Sequence, residues 1–218
     1  MKSKVIYEDR DIIVVNKPAG LSVEGEKAGT KDLESEIKNY LKDKGETPQI
    51  YVVHRLDKPV SGLVLLAKKK EIAAKLSEGI RAGDFVKEYE ALVLKKEGFV
   101  SSGRLEDYLL KEKGNNISIV SEDGNTPGAK KAVLTFETLR EDEKSALLKI
   151  KLLTGRHHQI RLQLLNAGMP ILGDRKYATK ESLELSEELG IRNTALKAAH
   201  LVFLHPVTKK QMDFSLEE

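Results

Sequence analysis

The chain has 218 residues, which is enough for one large domain or two small ones. It contains no cysteine, so disulfides, thiolate metal sites and cysteine nucleophiles are excluded. The 37 basic and 34 acidic residues give a formal net charge of only +3. A nucleic-acid-binding protein fits this balance only if its positive charge is concentrated on one face.

The sequence shows no targeting or membrane signal. The basic residues at the start are not followed by the apolar stretch of a signal peptide. Apolar runs such as Leu63–Ala67 are far shorter than the roughly 20 residues that cross a bilayer. We therefore expect a cytoplasmic protein with no membrane association.

The first half of the chain predicts strands separated by turns and helices. Apolar and β-branched runs predict strands at 12–15, 50–53, 63–67 and 85–94. Apolar residues at helical spacing predict helices at 32–42 and 69–81. Two polar segments, 16–20 and 54–59, each follow a strand, and both contain a proline that favours a tight turn.

The second half is less regular. Residues 95–130 are rich in glycine and asparagine and predict hairpins and surface loops. Beyond them we expect strands at 131–139, 146–152 and 199–203, and helices at 156–167 and 181–189. Thr154 stands where the N-cap of the first of these helices is expected. Strands with irregularly inserted helices favour a single mixed α+β domain.

General cofactor and metal motifs are missing from the sequence. It lacks the glycine-rich dinucleotide and phosphate loops, the zinc-protease motif and the serine nucleophile elbow. The spacing of its five histidines does not suit a metal ion. We therefore expect neither a cofactor nor a metal.

Two charged residues are candidates for a functional site. Asp57 follows an apolar strand, where it could act in a cleft or simply cap a turn. Arg161 lies in the predicted helix beside Ile160 and Leu164, which are expected to face the core. Its side chain is therefore either partly buried or at the helix surface. A buried arginine requires a carboxylate partner. Position alone leaves both alternatives open.

Several motifs, in order along the chain, resemble the RluA family of RNA pseudouridine synthases. The segment His54–Gly62, HRLDKPVSG, closely resembles the catalytic motif of this family, and Thr154–Arg161, TGRHHQIR, resembles its later signature. Further matching segments are Ile13–Gly20, Lys87–Ala91, Pro170–Asp174 and His200–Pro206. The chain departs from the family pattern at Val60, where threonine is usual, and at Gln163, where histidine is frequent.

The resemblance implies a fold and a reaction. The expected fold is α+β, with residues 1–218 forming one catalytic domain that has a mixed, largely antiparallel sheet, peripheral helices and a central RNA-binding cleft. The expected reaction isomerises uridine to pseudouridine in large-subunit ribosomal RNA or transfer RNA, without cofactor or metal. We also expect a monomer without the small RNA-binding domain that often precedes the catalytic domain in this family.

The resemblance also implies roles for three catalytic residues. Asp57 is the essential carboxylate, which attacks the sugar as a nucleophile or removes a sugar proton to give a glycal, and the sequence leaves both routes open. Arg161 is the cation that keeps Asp57 ionised. Tyr89 is the ring against which the flipped uracil lies.

Other residues of these motifs are candidate RNA contacts. Arg55 is expected to help the base out of its stack, and His54 to orient the loop. Ile160 and Leu162 are pocket walls or, equally well, helix-core residues. Phosphate contacts are expected from Lys17, Lys58 and Arg156.

Two alternatives remain. A non-catalytic RNA-binding module could retain this fold, although it would have no use for the carboxylate of Asp57. A glycosidase that cuts the base–sugar bond would need a second catalytic carboxylate. Asp174 is the motif-embedded candidate for that role, but its Gly173-Asp174 setting is typical of a structural turn.

Overall fold

The computed structural model describes residues 2–25, 30–112 and 114–216. The chain divides into two compact units, which are described separately. The first unit comprises Met1–Lys87 and Lys197–Glu218, and the second comprises Glu88–Leu196. The prediction of one domain over residues 1–218 stays a prediction.

The described residues form strands and helices in irregular alternation. In chain order these are β1 Lys4–Glu8, β2 Ile12–Lys17, α1 Leu33–Asp43, β3 Tyr51–Val52, β4 Ser61–Ala67, α2 Lys70–Ala82, β5 Val86–Leu94, β6 Ser102–Lys111, β7 Ser118–Ser121, β8 Lys130–Glu141, β9 Ser145–Leu152, α3 Gln159–Asn166, α4 Lys180–Glu188, β10 Leu196–Leu204 and β11 Gln211–Ser215.

The first unit is built around β4, in which residues 63–67 are all apolar, as expected for a strand that is buried on both faces. β2 pairs antiparallel with one edge of β4, and β1 extends the sheet beyond β2. On the other edge, β10 pairs parallel with the start of β4 and β3 pairs antiparallel with its end. β11 forms an antiparallel pair with β10.

One part of the core of the first unit lies on the face of its sheet that α2 covers. Ile72 and Leu76, one turn apart on α2, pack with apolar residues of β2, β4 and β10, among them Val14, Leu65 and Phe203. The rings of Phe203 and Phe85 stack with their centroids 5.2 Å apart. This packing gives β2 and β4, which carry the turns at 18–21 and 53–60, a rigid base.

The second unit has an antiparallel sheet in the order β5-β9-β8-β6-β7. α3 packs on one face of it, where Leu162 joins Leu109, Ala132 and Tyr177 in a buried cluster. A separate cluster places Leu185 of α4 with residues near the end of β5. The sheet thus supports α3, which carries the arginine of the second motif.

The α+β class predicted from the sequence is confirmed, with a mixed sheet and a few helices. The hairpins and loops predicted at 95–130 include the hairpin formed by β6 and β7, in which Lys111 pairs with Ser118. Two details of the predicted local structure are wrong. The sequence patterns assign no strand to 4–8 or to 211–215, where β1 and β11 form. The helix predicted at 156–167 begins only at Gln159. In the part of the chain that the structure describes, no helix has the length and apolar character needed to cross a bilayer.

Candidate active site

Asp57 lies in the loop between β3 and β4. The main-chain N–H of Val60 donates a hydrogen bond to the carbonyl of Asp57 at 3.0 Å, which closes a turn. Leu56 and Val60 are buried on either side of that turn, whereas Asp57 is partly exposed. Two apolar anchors therefore fix the loop and leave the carboxylate within reach of solvent.

Lys17, at the end of β2, lies beneath this loop. Its side chain has no exposed surface, and its ammonium donates hydrogen bonds to the carbonyls of Leu21 at 2.7 Å, Pro18 at 3.1 Å and Lys58 at 3.4 Å. Burial lowers the pKa of Lys17 to about 8, against the attraction of the Asp57 charge, which raises it. Lys17 joins the 18–21 turn to the Asp57 loop.

This position corrects the prediction that Lys17 contacts an RNA phosphate. A fully buried ammonium with three main-chain acceptors is not available to a phosphate at the surface. The nearby Lys58, in contrast, is exposed. Its role as a phosphate contact stays a prediction.

His54 fastens the other side of the loop. Its Nε2 accepts a hydrogen bond from the main-chain N–H of Leu65 at 3.1 Å, so this nitrogen carries no proton. Burial, together with the charge of Lys87, lowers the pKa of His54 to about 3. The neutral imidazole thus fits the loop-orienting role expected from the sequence.

Arg55 extends outward from the same loop. Its side chain is 72% exposed and forms an ion pair with Glu24, with Nη1 and Oε2 3.2 Å apart. An exposed ion pair of this kind contributes little to stability, so Arg55 can exchange Glu24 for another anion at little cost in free energy. The expected role of Arg55 in displacing the target base stays a prediction.

Gly62 allows β4 to begin directly after the loop. It has φ +116° and pairs with Ala198 of β10 and Lys17 of β2. A Cβ at this position would lie 2.5 Å from the main-chain nitrogen of Ala198 and closer still to its carbonyl oxygen. Only glycine lets the three strands approach so closely at this point.

The TGRHHQIR signature forms a turn before it enters α3. The side-chain oxygen of Gln159 accepts hydrogen bonds from the Thr154 hydroxyl at 2.8 Å and the Arg156 N–H at 2.9 Å. These bonds fold residues 154–158 back on themselves, so Thr154 is not the N-cap. That position belongs to His158, which has a left-handed backbone with φ 54°.

Arg161 is buried in α3 with Asp174 as a partner. The guanidinium Nε lies 2.6 Å from Oδ2 of Asp174, and Nη2 lies 2.9 Å from Oδ1. The side chain of Arg161 is 5% exposed and that of Asp174 is 0% exposed. Burial raises the pKa of Asp174, but hydrogen bonds from Arg161 and from the amides of Tyr177 and Lys176 outweigh it and hold the pKa below its ordinary value.

The Arg161 pair adds to one inference and decides another. Asp174 is the turn residue that its sequence suggested, because it accepts hydrogen bonds from the N–H groups of Lys176 and Tyr177, and both its oxygens also bind a buried arginine. It also has no exposed surface from which to act as the second carboxylate of a glycosidase. The sequence indicates that Arg161, if it is buried, needs a carboxylate partner. It does not indicate that this partner is Asp174.

Tyr89 lies on the face of the second unit's sheet that α3 covers. It pairs with Ile150, which pairs with Phe136, and directly opposed residues point to the same face. Ala132 is four residues from Phe136 on the same strand, so it shares that face, and it packs against Leu162 of α3. Tyr89 is 7% exposed. The sheet therefore places Tyr89 and α3 on one side.

The remaining predicted site residues in α3 and in the segment before it lie partly in the core and partly at the surface. Leu162 packs with Leu109 and Ala132, as expected of a helix-core residue, and its role as a pocket wall stays a prediction. Ile160 is also buried, and its role as a pocket wall stays a prediction. Arg156 is exposed, and its Nε donates a hydrogen bond to the carbonyl of Lys131 at 2.8 Å.

Within the described ranges, one group of carboxylates and histidine is close enough to hold a metal ion: Asp9, Asp11 and His205. Its atoms already have protein partners. His205 Nε2 lies 3.0 Å from Asp9, and Lys69 donates a hydrogen bond to Asp11 at 2.6 Å. The Nδ1 of His205 accepts main-chain N–H bonds, so its Nε2 is the protonated nitrogen. These hydrogen bonds connect the loop that contains Asp9 and Asp11 to His205 and Lys69, and we call this group of residues the clasp.

Comparison with known proteins identifies the family. A family model described as RNA pseudouridylate synthase matches residues 11–166, which include Asp57, Tyr89 and Arg161. The chain belongs to this family. The membership inferred from the HRLD and TGRHHQIR motifs is thereby confirmed.

Individual relatives agree with this assignment. The chain is 31% identical over 220 residues to the ribosomal large subunit pseudouridine synthase D of Vibrio cholerae, covering 96% of this chain and 65% of that protein. It is 32% identical over 225 residues to the corresponding protein of Zymomonas mobilis, covering 98% of this chain and 68% of that one. The chain thus spans about two thirds of the length of these relatives.

A solved structure shares the fold. The structure of human RNA pseudouridylate synthase domain containing 4 has a TM-score of 0.77 and 25% sequence identity, and the match covers 98% of this chain and 88% of that one. The α+β architecture described above is therefore that of the family.

Proposed function

We propose that this protein converts uridine to pseudouridine in a structured RNA. The observation that carries the proposal is the family match over residues 11–166, within which Asp57 stands on a loop fixed by Lys17 and His54. A loop held by a buried ammonium and an imidazole acceptor suits a carboxylate that must be positioned before the substrate arrives.

The reaction is a rearrangement within one nucleotide. The bond from N1 of uracil to C1′ of ribose breaks, the base turns, and a bond forms from C5 to the same C1′. The hydrogen on C5 leaves as a proton and N1 gains one, so no atom is added and no electron is transferred to another molecule. Asp57 acts either as the nucleophile at C1′ or as the base that forms a glycal.

We assign the other two catalytic roles to Tyr89 and Arg161. Tyr89 offers an aromatic ring to a flipped uracil, and such stacking contributes roughly 1–3 kcal/mol per base. Arg161 supplies a fixed positive charge in a buried environment, where it acts more strongly than it would in water. Buried arginine is otherwise costly, which supports a functional reason for its presence.

Ribosomal RNA of the large subunit is the proposed substrate. The support is the names of the relatives from Vibrio cholerae and Zymomonas mobilis, which both refer to the ribosomal large subunit. The exposed side chains of Arg55, Lys58 and Arg156 carry the positive charge that phosphate contacts require. Because these contacts do not read bases, the shape of a stem-loop has to contribute to recognition.

The test uses RNA labelled with tritium at C5 of uracil. Formation of the new bond releases that tritium into water, so the purified chain should release it from large-subunit ribosomal RNA transcribed in vitro. Chemical mapping of the product should then place pseudouridine at defined uridines. Binding of the RNA without tritium release would instead support the non-catalytic module.

A further inference from the structure

The contact between Arg161 and Asp174 fixes an orientation as well as a distance. Both carboxylate oxygens accept hydrogen bonds, one from Nε at 2.6 Å and one from Nη2 at 2.9 Å. Two parallel bonds define the plane of the guanidinium, which one bond could not do. The two donors lie on one edge of the guanidinium, whereas Nη1 lies on its other edge.

The carboxylate of Asp174 is itself held by the main chain. Its Oδ1 accepts hydrogen bonds from the N–H groups of Lys176 at 2.9 Å and Tyr177 at 3.1 Å. The preceding Gly173 has φ +73°, and a Cβ there would collide with the main chain of Asn193. Through Asp174, the orientation of Arg161 is thus fixed by a backbone turn that has little conformational freedom.

Tyr177 supports the same guanidinium from its face. The central carbon of the Arg161 guanidinium lies 5.1 Å from the centroid of the Tyr177 ring. The Tyr177 hydroxyl accepts a hydrogen bond from the N–H of Ser118 at 2.8 Å and lies 2.8 Å from Nδ1 of His158. The hydroxyl end of the Tyr177 ring is therefore held by His158, which precedes α3, and by Ser118 of β7.

Stability alone does not account for such an arrangement. A buried ion pair is often no more stabilising than apolar residues of similar volume, because both charges lose their hydration. Arg161 stands between the buried apolar residues Ile160 and Leu162 in α3, and its guanidinium lies against the ring of Tyr177, so apolar residues could take the place of the pair. The geometry is better explained by a requirement for one particular orientation of Arg161.

We propose that Asp174 is a positioning residue for Arg161 in the isomerisation of uridine and holds its guanidinium in one orientation before the RNA binds. This inference rests on the proposed function. Asp174 touches no reacting atom in this scheme and acts through Arg161 alone. Its removal should therefore affect turnover and leave RNA affinity unchanged.

The test is a double-mutant cycle on kcat, with an RNA on which the wild-type protein forms pseudouridine. We expect Asp174→Asn to lower kcat by about 100-fold, the size of effect that a misplacement of about 1 Å can cause, with an unchanged Kd for the RNA. Arg161→Gln and the double variant Arg161→Gln/Asp174→Asn should have equal kcat. Residues coupled in this way do not add their effects.

A matched control is Asp11→Asn. Asp11 is another buried aspartate that pairs with cations, Lys69 and Arg10, but it belongs to the clasp in the first unit. It should lose thermal stability and keep wild-type kcat. An unchanged kcat for Asp174→Asn would overturn the inference. So would an equal loss of kcat when Asp174→Asn is made in the wild type and in Arg161→Gln. In both cases the wild-type activity would still support the proposed function.

A wild-type measurement covers the case in which Asp174→Asn does not fold. The Nε–H of Arg161, identified by its loss in Arg161→Lys, should give a single nitrogen-15 NMR resonance that exchanges slowly with water, because it is buried and bonded to Asp174. Rapid exchange of this proton would contradict a fixed guanidinium. Absence of pseudouridine with the wild-type protein would instead contradict the proposed function.

Discussion

The buried ammonium of Lys17 donates a hydrogen bond to the main-chain carbonyl of Lys58 at 3.4 Å. Lys58 directly follows Asp57, so this bond connects the end of β2 to the loop that carries the proposed catalytic carboxylate. The same ammonium also holds the 18–21 turn through Pro18 and Leu21. One side chain thus fixes two loops by donating hydrogen bonds to three main-chain carbonyls.

Lys17 should make the stability of the protein depend on alkaline pH. Its pKa is about 8 in the folded protein, whereas the ordinary lysine value, 10.5, applies to the unfolded chain. The unfolded chain therefore binds more protons between these values, and folding becomes more favourable as pH rises from 8 to 10.5. The free energy of unfolding of wild type relative to Lys17→Met should grow by up to about 3 kcal/mol over this window. Urea titrations at both pH values measure the difference.

Other groups that titrate in this range are common to the two proteins and cancel in the comparison. A difference that stays constant or shrinks as the pH is raised through this window would show that the ammonium of Lys17 is not desolvated. Lys17→Met should also reduce turnover, because the Asp57 loop loses its support.

His54 should make the protein sensitive to acid. Its pKa is lowered from 6.5 to about 3, so the stability it contributes is present above pH 6.5 and is lost as pH falls from 6.5 toward 3. His54→Gln keeps an acceptor for the Leu65 N–H without a titrating ring. The wild type should lose on the order of 2–4 kcal/mol more than this variant over that range, as followed by denaturant unfolding. Parallel losses in the two proteins would rule out an imidazole that stays neutral in the folded protein.

Gly62 should tolerate no side chain. Gly62→Ala places a methyl group against the main chain of Ala198 at a φ of +116°, so we expect a loss of more than about 3 kcal/mol in unfolding free energy. Gly83→Ala is the control, because Gly83 has φ +86° but no atom within 4 Å of the added methyl. Its cost should be about 1–2 kcal/mol, the cost of the left-handed backbone alone. Equal thermal shifts in the two variants would mean that β4 and β10 do not approach as described.

Arg161→Lys should lower kcat by about 100-fold or more, because an ammonium cannot make the two-point contact with Asp174 that orients the guanidinium. Arg156→Lys is the matched control in the same signature, since Arg156 is exposed and makes one bond to a main-chain carbonyl. It should weaken RNA binding modestly and leave kcat near the wild-type value. Steady-state tritium release distinguishes the two, and near-normal turnover by Arg161→Lys would contradict the role given to the guanidinium.

The sequence predicts the α+β class and most of its elements, because β2, β4 and α2 carry strong apolar periodicity that tertiary packing reinforces. It does not predict β1 and β11, which are short, partly exposed strands stabilised by their pairing with β2 and β10. The same limit applies to the site. The motifs single out Asp57 and Arg161, but the burial of Lys17 and the bond from Arg161 to Asp174 depend on tertiary contacts that no local pattern encodes.

The central claim is that Asp57 enables conversion of uridine to pseudouridine, and Asp57→Asn tests it most directly. The asparagine has nearly the same shape but can neither attack the sugar as a carboxylate nor accept its proton, whereas the loop contacts through Lys17 and His54 remain. With large-subunit ribosomal RNA labelled at C5, we predict tritium release by the wild type and none above background by Asp57→Asn, with similar RNA affinity for both proteins. Equal tritium release by the two proteins would contradict the account.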